Sequence, residues 1–191
     1  MCEIRWLGHA SWEITTGDGK RIYLDPWLDA NPACPIKLSE IDRADIVCVS
    51  HGHRDHIGDS LDIVKKTGAR LICTPEIGFY AASKGIEFDR GSYPLNIGGS
   101  VRLGGVTVHM TAAAHTTELY GEEWLKESRV LPGSGAVGFV LEEAGVSIYY
   151  AGDTGLFGDM RLIGELYNPQ VALLPIGGKY NLGPRLAAFA A

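Results

Sequence analysis

The stretch Ser50-His51-Gly52-His53-Arg54-Asp55-His56-Ile57-Gly58 places three histidines and one aspartate between positions 51 and 56. Side chains of these types at this density suit a divalent cation, because imidazole nitrogens and carboxylate oxygens are its ordinary donors. Packing explains them poorly. His51 and His53 stand two apart, and in extended backbone such side chains point the same way, so both rings can reach one ion. Asp55 and His56 follow where the loop turns toward a helix and can face a second ion nearby. Gly52 and Gly58 supply the backbone freedom a tight loop of this kind needs. The chain has six histidines in all, and half of them lie here.

Such a cluster needs a rigid platform. The run Asp45-Ile46-Val47-Cys48-Val49 is apolar and of strand type, and residues 59–68 read as a short helix. The loop therefore leaves the carboxyl end of a strand, the edge at which open α/β sheets place their ligands. Upstream, residues 3–7, 11–16 and 21–25 read as strands, the last two joined by the hairpin turn Gly17-Asp18-Gly19-Lys20. Residues 26–35 form an irregular loop and 39–42 a single helical turn. Downstream, the pattern predicts a strand over 69–73, a helix over 76–84 stopped by Gly85, and a hairpin of 101–103 with 106–110. Strands over 136–142 and 146–151, a helix over 156–167, a strand over 170–175 and a helix over 182–191 complete the order. The stretch 116–135, with Tyr120 and Trp124, has no strand pattern and is a lid candidate. Strands, then strand–helix units, then the same again, fit an α/β fold of two mixed sheets with helices outside better than a purely parallel sheet.

The 191 residues suit one domain, 1–191, with a sizeable core. The net charge of −6 leaves no electrostatic footprint for nucleic acid, so long polyanions are disfavoured as partners, while a small anionic substrate drawn to a metal stays open. Cys2, Cys34, Cys48 and Cys73 form no C-x-x-C pair and read as free thiols of a cytoplasmic protein. No apolar run is long enough to span a bilayer, and the chain enters its first strand at once, with no signal peptide.

The pattern His51-x-His53-x-Asp55-His56 resembles the H-x-H-x-D-H signature of the metallo-β-lactamase superfamily. The chain most resembles its metal-dependent hydrolase subgroup, related to sugar-phosphate lactonases and ribonuclease Z. Trp6-Leu7-Gly8-His9-Ala10-Ser11, Leu24-Asp25-Pro26-Trp27, Ala113-Ala114-His115 and Ala151-Gly152-Asp153-Thr154-Gly155 carry the likeness through the chain in order. The resemblance implies an αββα sandwich, two mixed sheets face to face with helices on the outer faces. It also implies that His51, His53 and His115 hold a first ion, that Asp55 and His56 hold a second, and that Asp153 bridges them. One or two ions, Zn2+ or Mn2+, would activate a hydroxide against a small ester, lactone or phosphorylated lactone, with Asp55 and Asp153 as catalytic residues. A phosphodiesterase or nuclease of the same fold, and a truncated metal-binding relative without catalysis, are the alternatives.

Several residues carry two readings. Asp153 lies in a glycine-flanked turn and could be a ligand or a helix N-cap. His9 could support the ligands, touch substrate, or be a hydrogen-bonded turn histidine. Asp25 could orient a ligand histidine through its other ring nitrogen or start the turn before Pro26. His109 alternates with Val108 and Met110 and reads as an outward strand residue, not a ligand. Lys179-Tyr180 could meet a phosphate or carboxylate. The family pattern places a final histidine beyond the last helix, and no histidine follows His115 here. The expectation is therefore a C-terminally short domain: either the sequence is truncated, or water or a neighbouring subunit completes the second site. A homo-oligomer would also relieve the sheet edge left exposed.

Overall fold

The computed structural model describes residues 2–119, 131–133 and 135–191. The chain divides into two compact units, residues 1–95 with 117–134, and residues 96–116 with 135–191. The expected lid over 116–135 falls largely on positions 120–130 and 134, Tyr120 and Trp124 included, which lie outside the described residues.

The first unit is built on a six-stranded sheet in sequential order. Strands β1 (Glu3–Trp6), β2 (Trp12–Thr15) and β3 (Arg21–Leu24) run as an antiparallel meander. Strands β4 (Ile46–Cys48), β5 (Arg70–Cys73) and β6 (Ser92–Pro94) continue it in parallel. Parallel strands need crossovers. Helices α1 (Arg54–Ile57) and α2 (Ser60–Thr67) supply one between β4 and β5, and α3 (Pro75–Ser83) supplies the next. The near-continuous apolar reading of β4 and β5 follows from their central place, and Ile46, Val47, Cys48, Leu71, Ile72 and Cys73 are all buried. Tyr23, Leu28, Val47, Ile63, Leu71 and Ile77 form the centre of this unit's core.

Gly68 ends α2 in the left-handed conformation, φ +74°. Proline at its first turn starts α3 after Thr74. Strand β6 escapes the sequence pattern because it is three residues long and ends in proline, which only an edge strand tolerates. The turn expected over 39–42 is a 3-10 helix, Leu38–Glu40. Two-residue strands β9 (Glu118–Leu119) and β10 (Leu131–Pro132) pair antiparallel with each other.

The second unit holds a five-stranded mixed sheet in the order β13-β12-β11-β8-β7. Strands β7 (Ser100–Leu103), β8 (Val106–Ala112), β11 (Val137–Glu143) and β12 (Val146–Tyr150) are antiparallel neighbours, and β13 (Val171–Leu173) joins in parallel. Helix α4 (Met160–Tyr167) makes that parallel crossover and α5 (Pro184–Ala190) follows. Val140, Tyr149, Met160, Ile163, Leu182 and Ala187 pack together around them. The helix expected from Leu156 begins instead at Met160, with Asp159 as its N-cap. Gly155 and Gly158 bracket the lost turn, and Phe157 packs against this core from outside any helix. The final helix likewise starts two residues late, at Pro184, whose fixed φ favours the first helical position. No helix among the described residues is long and apolar enough to cross a membrane.

None of the four cysteines is in a disulfide. Cys48 and Cys73 are fully buried, and burial raises both thiols well above the ordinary value. Thiolate is the reactive form, so both should resist alkylation. Under native conditions iodoacetamide should modify Cys2 and Cys34 and spare Cys48 and Cys73, and all should react in denaturant. Native labelling of Cys48 by peptide mass mapping would contradict this core.

Candidate metal centre

In the first unit, β4 delivers the chain to the cluster. His51 is fully buried, His53 is half-buried, and Asp55 and His56 sit on the short helix α1. The loop runs into a separate helical turn before α2. That turn fixes Asp55 and His56 as neighbours on a rigid element. Gly58 closes it at φ +39°, where a Cβ would come within 2.5 Å of the Pro26 carbonyl oxygen. The close approach holds α1 against the loop that follows β3.

That loop supplies Asp25, which directly follows β3 with φ +42° and is fully buried. Its Oδ1 accepts the Ser50 amide at 2.7 Å. Its Oδ2 accepts the Ser50 hydroxyl and lies 2.7 Å from His56 Nδ1. A proton on His56 Nδ1 therefore points at Asp25, and the lone pair falls on Nε2, the nitrogen left to coordinate. Ser50 Oγ also lies 2.9 Å from His51 Nδ1, and His51 Nε2 lies 3.0 Å from His53 Nδ1. The ring centroids of His51 and His56 are 4.0 Å apart. One ligand atom each from Asp25, His51 and His56 fall within 4.8 Å of one another, as do those of His9, Asp55 and His56.

His9 joins this group from the turn between β1 and β2. Its Nε2 is 3.3 Å from Asp55 Oδ2, and its ring is edge-on to His56 and to Trp27, each at 5.4 Å between centroids.

In the second unit, β8 and β12 flank β11, both antiparallel to it, and so end at the same edge of the sheet. His115 follows β8 and Asp153 follows β12, with His115 Nε2 3.9 Å from Asp153 Oδ2. The two loops are stitched together. Gly155 N donates to the Ala114 carbonyl at 2.9 Å, and Ala114 N donates to Thr154 Oγ1 at 2.9 Å. Asp153 is 7% exposed, and Asn181 Nδ2 donates to its Oδ1 at 2.7 Å. Asn181 is absent from the sequence reading, which singles out Lys179 two residues earlier. Lys179 is exposed and rests over the Tyr180 ring at 4.8 Å. His109 lies 2.8 Å from Glu142 on the neighbouring strand, with its ring 4.9 Å from that of Tyr167.

Each unit thus brings histidine nitrogens and carboxylate oxygens together at strand ends, several of them buried. Buried donors of this chemistry, with one histidine held by a carboxylate through its far nitrogen, fit a divalent cation. Two mixed sheets with helices and such donors define an α/β protein with a candidate centre for divalent metal.

Comparison with known proteins agrees. Residues 20–187 match the beta-lactamase superfamily domain. A UPF0173 metal-dependent hydrolase of Rubrobacter xylanophilus is 44% identical over 189 residues, covering 98% of this chain and 75% of that protein. Its counterpart in Methanopyrus kandleri is 42% identical over 185 residues, covering 97% and 76%. Among solved structures, Igni18, a metallo hydrolase from Ignicoccus hospitalis, superposes with a TM-score of 0.82 at 34% identity over 98% of this chain and 76% of its own. An isothiocyanate hydrolase from Delia radicum gut bacteria shares the fold, with a TM-score of 0.64 at 17% identity over 95% of this chain and 75% of its own. The chain belongs to the metallo-β-lactamase superfamily and is a metal-dependent hydrolase.

Proposed function

We propose that His51, His53 and His115 hold a first divalent ion, that Asp55 and His56 hold a second, and that Asp153 serves both. The substrate is a small anionic ester, lactone or phosphorylated lactone. The observation that carries this reading is His56, whose Nδ1 is committed to the buried Asp25 and whose Nε2 is thereby prepared for a cation. The histidine-rich first set suits zinc, and the second set, richer in oxygen, also suits manganese.

A divalent ion, when held, supplies Lewis acidity and makes hydroxide available near neutral pH. The protein's own groups do the rest. Asp55 is 43% exposed at its side chain, so a water molecule can reach it, and its carboxylate accepts that water's hydrogen bond and orients it toward the substrate. Asp153 Oδ1 is fixed by Asn181, and a carboxylate oxygen has a second lone pair to give, so both of its oxygens remain able to act. Asp25 and Ser50 restrain the histidines behind the reacting groups. The net charge of −6 favours a small substrate over a long phosphodiester polymer.

The test is metal analysis combined with a substrate panel. The purified protein should contain zinc or manganese and hydrolyse an aryl ester or a lactone faster than bis(4-nitrophenyl) phosphate. Dialysis against a chelator should abolish turnover, and either ion should restore it. Preferential cleavage of the phosphodiester would move the assignment to the nuclease reading. Bound metal with no turnover of any compound would leave a binding protein.

A further inference from the structure

We infer that His9 is a metal ligand, joining Asp55 and His56 at the second ion beside the shared Asp153. This rests on the reading of Asp55 and His56 as ligands and adds a residue to it.

The geometry of the donors comes first. Tetrahedral donors about 2.1 Å from an ion lie roughly 3.4 Å from one another. His9 Nε2 and Asp55 Oδ2 are 3.3 Å apart, and one ligand atom from each of His9, Asp55 and His56 falls within 4.8 Å of the others. Little movement would bring all three onto one ion. Two imidazoles with the carboxylates of Asp55 and Asp153 are ordinary donors for a divalent ion, which can expand to five-coordinate to admit water.

The backbone supplies an independent observation. His9 has φ +52°, a left-handed conformation that few non-glycine residues adopt, histidine more readily than most, and that the surroundings here favour. They do so from several sides. Trp6 Nε1 donates to the His9 carbonyl at 2.9 Å. Leu7 N donates to the Ser11 carbonyl at 2.9 Å, and Ser11 N to the Gly8 carbonyl at 3.0 Å. Gly8, at φ +91°, packs where a Cβ would lie 2.9 Å from the Ala33 carbonyl carbon and oxygen. Ser11 Oγ then ties the turn to the Asp25 loop, donating to the Asp25 carbonyl at 2.7 Å and accepting from Trp27 N at 2.9 Å. The turn is thus built against the same loop that orients His56. A solvent-facing turn would be easier with glycine or asparagine at position 9. The strained histidine is held where its ring meets Asp55 and His56.

Metal-free protein titrated with Zn2+ by calorimetry, and with Co2+ by visible absorption, tests the assignment without reference to turnover. The wild-type chain should take up two equivalents. His9→Asn, chosen because asparagine tolerates the left-handed backbone, should bind the second equivalent ~100-fold more weakly and lose its share of the cobalt absorption, with the first equivalent unchanged. His9→Gly should behave likewise. Histidine side-chain 15N spectra of the wild-type protein supply a reading that needs no folded variant: the His9 Nε2 resonance should shift with the second equivalent of Zn2+. Unchanged second-site affinity in His9→Asn, or a His9 resonance that ignores the second equivalent, overturns the inference. If Asp55→Ala meanwhile loses the second ion, the ligand role of Asp55 stands and only His9 is removed. If Asp55→Ala and His56→Ala also keep both equivalents, or the wild-type chain takes up only one, the second site itself is wrong.

Discussion

Alanine at Asp25 is expected to destabilise the protein by about 3–5 kcal/mol, because it leaves several buried donors without their acceptor. It should also weaken metal binding about 10–100-fold, the usual effect of deleting a carboxylate behind a ligand histidine. Asp25 touches no proposed substrate position, so the size of the effect comes from what it holds. Three donors converge on it: the Ser50 amide, the Ser50 hydroxyl and His56 Nδ1. Each buried donor left without an acceptor costs roughly 1–3 kcal/mol, partly offset because a fully buried carboxylate no longer has to be desolvated. Alanine would also have to occupy φ +42°, where asparagine fits better. Asp25→Asn should therefore recover part of the stability. It should recover less of the metal affinity, since an amide cannot accept from Ser50 and His56 at once with the strength of a carboxylate. Urea denaturation and zinc calorimetry on the two variants separate these contributions. Wild-type stability and affinity in Asp25→Ala would remove the support assigned to His56.

The metal-binding loop was legible because its donors are local. His51, His53, Asp55 and His56 lie close enough in sequence for spacing alone to suggest shared ions, and their density has no packing explanation. The strands around them were legible for a related reason. A central parallel strand such as Ile46–Cys48 must be apolar on successive residues, and that is a local signal. Strand β6 had no such signal, since Ser92, Tyr93 and Pro94 are individually poor witnesses and only the pairing with β5 makes them a strand. The late start of α4 is similar. Leu156 and Phe157 continue a helical apolar pattern, but the glycines around them allow Phe157 to reach the core without one.

The supporting residues were harder to see because each works across the chain. Asp25 reaches His56 over 31 positions, and Asn181 reaches Asp153 over 28. No periodicity links such pairs, and an aspartate before proline is by itself an ordinary turn residue. His9 shows the same limit, since nothing in Gly8-His9-Ala10 marks a left-handed backbone at the histidine instead of at the glycine alone. His109 shows the converse. Its alternation in β8 was a local signal, and its pairing with Glu142 is the ordinary cross-strand use of a half-buried strand residue.

Alanine at Asp153 is expected to lower kcat/KM about 10²–10³-fold, since it removes a carboxylate proposed to hold the ions that stabilise developing negative charge. Asp153 combines features that make it hard to replace. It is nearly buried, its Oδ2 is 3.9 Å from His115 Nε2, and its Oδ1 is held by Asn181. A carboxylate so fixed can present both oxygens, whereas an amide offers one neutral acceptor. Asp153→Asn should therefore resemble the alanine variant in rate while keeping much of the wild-type stability. Asn181→Ala provides a graded control. It leaves the carboxylate in place and removes only its restraint, so it should cost about tenfold, near one unmade hydrogen bond to a charged group. Similar large losses in Asp153→Ala and Asp153→Asn and a smaller one in Asn181→Ala, measured on whichever ester or lactone the substrate panel identifies, are the pattern required of a carboxylate that acts with both oxygens. Equal losses in all three would make Asp153 a structural residue of its loop. Undiminished hydrolysis in Asp153→Ala would place the active site elsewhere.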